Sequence, residues 1–414
     1  MRHNHKVALL VTVPLFLAAS CFGVFTVKSL SADPELTAAW RDQLGGATFP
    51  ERYPTTRDNA TVLRLEQLGA AIGLSMSPAE EVGRSAPEPD AAARYRAIKG
   101  SLITLDQTPN HLDRSPQSVP ADVAAFLRAA RPQLDAVSSL LLAGEAPVWR
   151  LDLEGEIQQP GPNLLGILEL TRLLLADSRL LFEAGAHDQA QLRLDASWRL
   201  TNAVLERPQV LSQLIGHRLV RLHLLVLRSL PDLPASWPER LANLKLHEQL
   251  IMAFEAEAFQ HHHLGTSSQS AAGDQLGVWS RWRGRSWARR FHHSIAAAKA
   301  IPVQDFDPVT FTTEHPEALP CWDVPAQLVM PTYWDAWPRG AQVELAAELT
   351  VLASAERQRL ANAGAGGPLD PTPARFSGLR WRYEPQPGGT RIHLDGGFRQ
   401  LGPHDLPLEI VVKR

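Results

Sequence analysis

Three consecutive histidines, His261-His262-His263, stand about thirty residues ahead of His292-His293, with Glu255 and Glu257 just upstream. Imidazole and carboxylate are the ligand types that transition-metal sites use. If the helix holding Phe254 continues through this stretch, Glu257 and His261 fall four residues apart on one face, and with His292 they would form a hydrolytic metal centre. The same spacing also describes a solvated polar helix end, so it assigns no metal ligand, no catalytic residue and no cofactor. His247-Glu248 opens like a zincin motif, but Ile251 occupies the position of the second His. GxSxG, SxxK, a Walker loop, CxxC and GxGxxG are all missing from the sequence. Beyond Cys21 the sole cysteine is Cys321, which excludes an intrachain disulfide framework. With no His nearer than His315, Cys321 reads as a small buried apolar residue rather than a nucleophile.

Two aromatic-rich stretches suggest binding rather than catalysis. Residues 279 to 291, WSRWRGRSWARRF, combine Trp279, Trp282 and Trp287 with Arg281, Arg283, Arg285, Arg289 and Arg290, and contain no acid. Indole favours the headgroup layer of a bilayer and guanidinium favours lipid phosphate, so these residues are a candidate surface contact with a membrane. The rival reading is a core edge with solvated Arg, and nucleic acid is not expected as a partner. Farther on, Trp322, Trp334 and Trp337, with Pro325, Pro331 and Pro338, predict an irregular segment that either lines a glycan groove or covers the helices.

These candidates must be positioned by a chain of 414 residues, with 41 Lys+Arg against 44 Asp+Glu and 44% apolar residues. That balance excludes a largely disordered chain and a strongly basic nucleic-acid protein. Residues 7 to 27 form an uncharged run of 21, about 31 Å as a helix, which matches the hydrocarbon core of a bilayer. Arg2 and Lys6 before it, and Asp33 and Glu35 after it, predict a cytoplasmic N-terminus and a body outside. The expected location is therefore a bacterial inner membrane, single-pass, with the body in the periplasm or beyond. A cleaved signal ending at Ala18-Ala19-Ser20, or lipid modification at Cys21, would lead to the same side.

The body predicts helical hairpins. Asp58 and Asn59 can cap a helix carrying Val62, Leu65, Leu68 and Ile72 that ends by Pro78. A loop over 76–90 precedes a helix with Tyr95, Ile98 and Leu102, and a helix from Ser118 to Gly144 is expected to split at Pro132. Residues 163 to 230 hold three long apolar-periodic segments. Glu169, Arg172, Ala176, Arg179 and Glu183 predict a solvent stripe on the first; Gln213, His217 and Arg221 predict a polar edge on the third. A helix over 340–362 and a Gly/Pro linker lead to a strand with Leu379, Trp381 and Tyr383. A turn, a return strand with Ile392 and Leu394, and a third strand at 409–412 complete the chain.

LLLADSRLLFEAGAHDQAQLRLDASWRL, residues 173 to 200, resembles a single tetratricopeptide-type hairpin, without a second copy. Together with NATVLRLEQL and ERPQVLSQLIGHRL it resembles a family of uncharacterised exported bacterial proteins with one N-terminal anchor, which implies architecture rather than chemistry. GLRWRYEPQPGGTRIHLDGG is similar to the C-terminal module of type II secretion pseudopilins. The expected fold is mainly α: a transmembrane anchor (1–28), a helical-hairpin body (33–335) and a small α+β module (340–414) with an antiparallel hairpin. The expected function is a membrane-anchored, non-enzymatic scaffold or protein-interaction module. A metal-dependent envelope hydrolase and a cell-wall or glycan binder are the alternatives.

Overall fold

The computed structural model describes residues 34–76, 85–107, 118–155, 161–230, 232–266, 275–302, 304–307, 310–311, 324–363, 370–396, 398 and 407–413, without the side chains of 264–283, 285–286 and 324–333. The apolar run 7–27 with Cys21, and Cys321 and Trp322, lie outside the described residues. So do the side chains of Trp279, Arg281, Trp282, Arg283 and Arg285. The described chain is mainly helical, with a small antiparallel sheet at its end. It divides into two compact units, a smaller one of Met1–Pro54, Asp152–Gln159 and Glu255–Ala297, and a larger one of Thr55–Leu151, Pro160–Phe254 and Ala298–Arg414.

In the smaller unit, α1 (Pro34–Gln43) buries Leu36 and Trp40. The short α2 (Phe49–Arg52) starts with a capping box in which Thr48 and Glu51 satisfy each other's backbone groups.

The larger unit opens with α3 (Ala60–Ile72), capped by the Asn59 side chain on the Val62 amide. It stops at Gly73, whose φ of +101° favours glycine, rather than at Pro78. α4 (Pro89–Gln107) follows; then α5 (Ala121–Ala129) and α6 (Arg131–Ala143) share the break expected at Pro132. The heart of this unit is the set α7 (Leu164–Glu183), α8 (His187–Leu205) and α9 (Val210–Ser229). Ser178 hydroxyl to Ala190 carbonyl at 2.9 Å ties the first hairpin, and Gln213 to Leu205 carbonyl at 2.7 Å the second. α8 and α9 approach closely at Gly216, where a Cβ would come within 2.3 Å of a Leu205 methyl.

Two expected solvent faces are interior in part, while Glu183 stays exposed and Glu169, Arg172 and Arg221 are half-buried. Ala176 and Arg179 of the predicted stripe are buried, because α7 is covered on nearly every side by its neighbours. Gln213 and His217 of the predicted edge are buried too, and Gln213 donates to the carbonyls of Leu205 and Arg207. α9 is long and apolar enough to cross a membrane (mean hydropathy 1.3), yet most of it is packed inside the protein.

α10 (Trp237–Ala242) and α11 (Leu246–Thr266) come next, with the residues of α11 from Glu255 onward counted in the smaller unit. α12 (Gln275–Ala300) is followed by α13 (Val324–Ala363), a 40-residue helix that starts well before residue 340. Residues 324–338 are therefore helical rather than irregular, despite Pro325, Pro331 and Pro338. In the larger unit Trp334 and Trp337 are buried among Phe254, Phe306 and Phe311, so these two indoles are part of the core and line no groove.

The sheet has the order β1 (Thr372–Pro373), β2 (Arg380–Gln386), β3 (Gly389–Asp395), β4 (Glu409–Lys413), all antiparallel. Its hairpin turns at Pro387-Gly388, with Gly388 at φ +84°, a conformation that suits Gly after Pro. Leu379, Trp381, Ile392, Ile410 and Val412 join the hydrophobic core. Thr390 hydroxyl to Glu356 at 2.6 Å fastens β3 to α13.

Candidate functional site

Three polar constellations are the places where this chain could do chemistry. The first lies in the smaller unit, on the face of α11 that carries Glu255, Phe259 and His262 at helical spacing. Glu255 is buried, and its Oε2 accepts from Trp40 Nε1 at 2.8 Å and pairs with His292 Nδ1 at 2.8 Å. A carboxylate removed from water needs such donors. Trp40 stands edge-on to Phe259 (5.6 Å), His262 (5.5 Å) and His292 (6.2 Å), and Phe49 closes the cluster at 5.1 Å from Phe259. Part of the His292 side chain remains exposed. With Nδ1 engaged by the carboxylate, Nε2 is the nitrogen left for a ligand or a proton.

The metal alternative set Glu257 and His261 with His292, whereas the carboxylate beside that imidazole belongs to Glu255. Glu255, not Glu257, meets His292, because the inward face of α11 runs through 255, 259 and 262. Glu257 is two residues off that face, and His261 instead packs against Trp287 at 4.2 Å. Among the described residues no three His, Cys, Asp or Glu side chains converge to hold a metal ion. The arrangement can orient an imidazole, but no described nucleophile accompanies it.

A second constellation, unseen in the sequence, lies in the hairpin core of the larger unit. Ser197 Oγ is 2.9 Å from His223 Nε2, and His223 Nδ1 is 2.9 Å from the Leu219 carbonyl. Nδ1 therefore carries the proton and Nε2 is an acceptor, and the single proton of the Ser197 hydroxyl is shared between Nε2 and the Leu194 carbonyl, 2.8 Å away. The pairing copies that of a nucleophile and its base. Yet both side chains are fully buried, and Trp198 and Trp237 pack against the ring at 5.2 and 5.8 Å. Burial pushes the His223 pKa down to about 4, so the ring is neutral at neutral pH. No substrate reaches it, and the pair fixes α8 to α9.

Beside it, Asp177 is fully buried and receives Arg131 at 2.9 Å and Arg193 at 2.8 Å, and Arg193 continues to Ser138 and Asp135. The spacing 177 to 193 was readable as a hairpin contact only once the turn at Gly185 was fixed.

The third constellation is also in the larger unit. The ring of His217 lies against Gly340, where a Cβ would approach Cε1 to 3.0 Å. Burial lowers its pKa to about 4, opposed by the Leu246 backbone and aided by the charge of His247. Glu344 accepts from the His247 amide and from Arg375, both at 2.8 Å, and desolvation raises its pKa despite these bonds. The ring of His247 stands edge-on to Trp337 at 4.5 Å. These residues join α9, α11, α13 and the segment before β2; every Glu344 oxygen serves structure. Comparison with protein-family models, with curated proteins and with solved structures returned no match, so chemistry and architecture are argued from this chain alone.

Proposed function

We propose that this chain is a membrane-anchored envelope protein of the inner membrane whose helical body holds another protein rather than transforming a substrate. The observation that supports it most is the inward commitment of its reactive-looking groups. The Ser197–His223 pair is sealed, Glu344 is occupied by His247 and Arg375, and Glu255–His292 comes without nucleophile or third ligand among the described residues.

Apolar side chains point the other way. α7 and α9 both run antiparallel to α8, so their first turns share one end of the larger unit, where Leu165 is 64% and Leu211 63% exposed. Val148 and Leu63 belong to the same end. Arg207, just before α9, binds the Trp149 and Arg150 carbonyls, and Asn59 binds the Val148 amide at 3.3 Å. Exposed leucines on first turns add nothing to the core, whereas apolar anchors within a polar rim suit a protein interface.

The hydrolase and glycan readings lose their main supports, the former because no three-ligand set forms among the described residues and the latter because Trp334 and Trp337 are buried. The test compares the full chain, extracted in mild detergent, with its Leu165→Asp/Leu211→Asp variant. A protein retained by the first and lost from the second is the expected result. Identical retention by both, or metal-dependent ester or amide hydrolysis by the purified chain, overturns it.

A further inference from the structure

We infer that two copies of this chain pair through the outer edge of β4, running antiparallel about a dyad at Val411. This goes beyond the holding of another protein at the first turns of α7 and α9. β4 is the last strand of the sheet, and among the described residues no strand pairs with its other side. The Leu394 amide donates to the Leu408 carbonyl at 3.2 Å, in the same register that sets Ile392 against Ile410 and Thr390 against Val412. Bonded pairs alternate along an antiparallel ladder, so the backbone groups of 408, 410 and 412 face β3 and those of Glu409, Val411 and Lys413 face outward. An outward row of this kind is a template for another strand.

The two edges of the sheet differ. β1 has two residues, one of them Pro373, and Pro385 of β2 has no N–H to offer, so that edge is blunted. β4 contains no proline, and its register with β3 is unbroken. Its edge carries charge instead. Glu409 and Lys413 are exposed on one face with the half-buried Val411 between them, and Ile410 and Val412 are buried on the other. A lysine on an edge hinders most incoming strands. Here Glu409 and Lys413 stand two residues either side of Val411, so in a pair centred on Val411 each Glu409 lies directly opposite the partner subunit's Lys413. Registers centred on 409 or on 413 would set like charges together, and cross-strand charge of this kind selects one register. Arg391, opposite Val411 on β3, holds both oxygens of Glu409 at 2.8 Å and fixes the carboxylate at the edge, with lone pairs left for an ammonium. The contact is isologous, as closed dimers require. Arg228, in the last turn of α9, donates to the Pro407 carbonyl just before β4, about 26 Å along that helix from Leu211. Pairing at β4 therefore leaves the apolar end open, and a dimer carries two such ends.

The test is sedimentation velocity of the full chain in mild detergent over a range of concentrations. The parent should dimerise reversibly, and the Leu165→Asp/Leu211→Asp chain should do the same. Lys413→Glu and Glu409→Lys should each weaken self-association at least about tenfold, because each sets like charges opposite one another at both ends of the pair. An equal mixture of these two variants should associate as the parent does, since both pairs in the mixed dimer are again of opposite sign. Cross-linking reads the register independently of these charges. In a Cys21→Ser/Cys321→Ser chain oxidised with diamide, Val411→Cys should give a disulfide dimer, because Cα atoms at the dyad are about 5.5 Å apart. Glu409→Cys should not, its mate lying about 14 Å away. A parent that is monomeric at every concentration overturns the inference, as do charge variants that associate like the parent, a mixture of folded variants that does not associate, loss of the dimer in Leu165→Asp/Leu211→Asp, or cross-linking at 409 and not at 411.

Discussion

Two histidine pairs among the described residues use the ring nitrogens in opposite settings. His223 offers Nδ1 to a backbone carbonyl and Nε2 to a serine, inside a hairpin core where water does not reach. His292 offers Nδ1 to a carboxylate and retains partial exposure. In the first case burial decides the protonation state, and the ring acts as a neutral strut. In the second the partner is a carboxylate, and part of the ring keeps its contact with solvent. Pairing geometry alone therefore does not mark a reactive site; access does.

The comparison breaks most visibly at Asp177. Asp177→Ala leaves Arg193 buried without its main counter-charge, and removing one partner of a buried pair costs about 3–5 kcal/mol. Denaturant unfolding of the full chain should show a large fall in midpoint. A shift below about 1 kcal/mol would mean that the hairpin core is wetter than its packing implies.

Acid sharpens the contrast next. The folded pKa of His223, about 4, lies below the unfolded value of 6.5, so above pH 6.5 both states are neutral and nothing is lost. As pH falls from 6.5 to 4 the unfolded chain takes up a proton that the folded one does not, and stability declines by on the order of 2–3 kcal/mol. His217 titrates in the same window. His223→Gln should flatten the pH dependence of the unfolding midpoint between these limits; an unchanged slope would assign the acid sensitivity elsewhere.

Much of the frame was legible because long helices announce themselves by period. Asn59, Gly144, Pro132 and the hairpin around Pro387-Gly388 are local signals that the fold obeys. What misled was the sign of polar residues. Gln213 and His217 on α9, and Arg179 on α7, sit at spacings that a solvent face would show, but all three are buried, and the carbonyls of Leu205 and Arg207 receive Gln213 inside the multi-helix core. Proline misled in the opposite direction, since three of them within α13 did not prevent helix there. The acid beside His292 is half a turn from the one that the spacing to His261 suggested. Glu257 and Glu255 both precede the His run, and only the identity of the buried face, set by Trp40 far away in sequence, separates them.

A smaller effect is expected at the Glu255–His292 pair, where only the imidazole is partly exposed. Trp40→Phe keeps the ring but removes the Nε1–H that reaches Glu255, leaving His292 as the donor to Oε2. A lost hydrogen bond to a buried acceptor costs about 1–2 kcal/mol. Amide exchange should quicken in α1 and in the 255–263 part of α11 and stay unchanged in α7 to α9. Uniform quickening would contradict the separate standing of the two pairs.

The smallest effect on stability belongs to Leu211→Asp. Leu211 opens α9 with most of its surface in solvent, whereas Leu219, two turns on, is fully buried on the same helix. A carboxylate in the first turn also faces the positive end of the helix dipole, which favours it by a few tenths of a kcal/mol. The unfolding midpoint should therefore stay within about 0.5 kcal/mol of the parent, and Leu219→Asp should collapse it by burying an unpaired charge. If Leu211→Asp destabilises the chain as strongly as Leu219→Asp, the first turn of α9 is part of the core, and the exposed apolar end offered to a partner loses one of its four side chains.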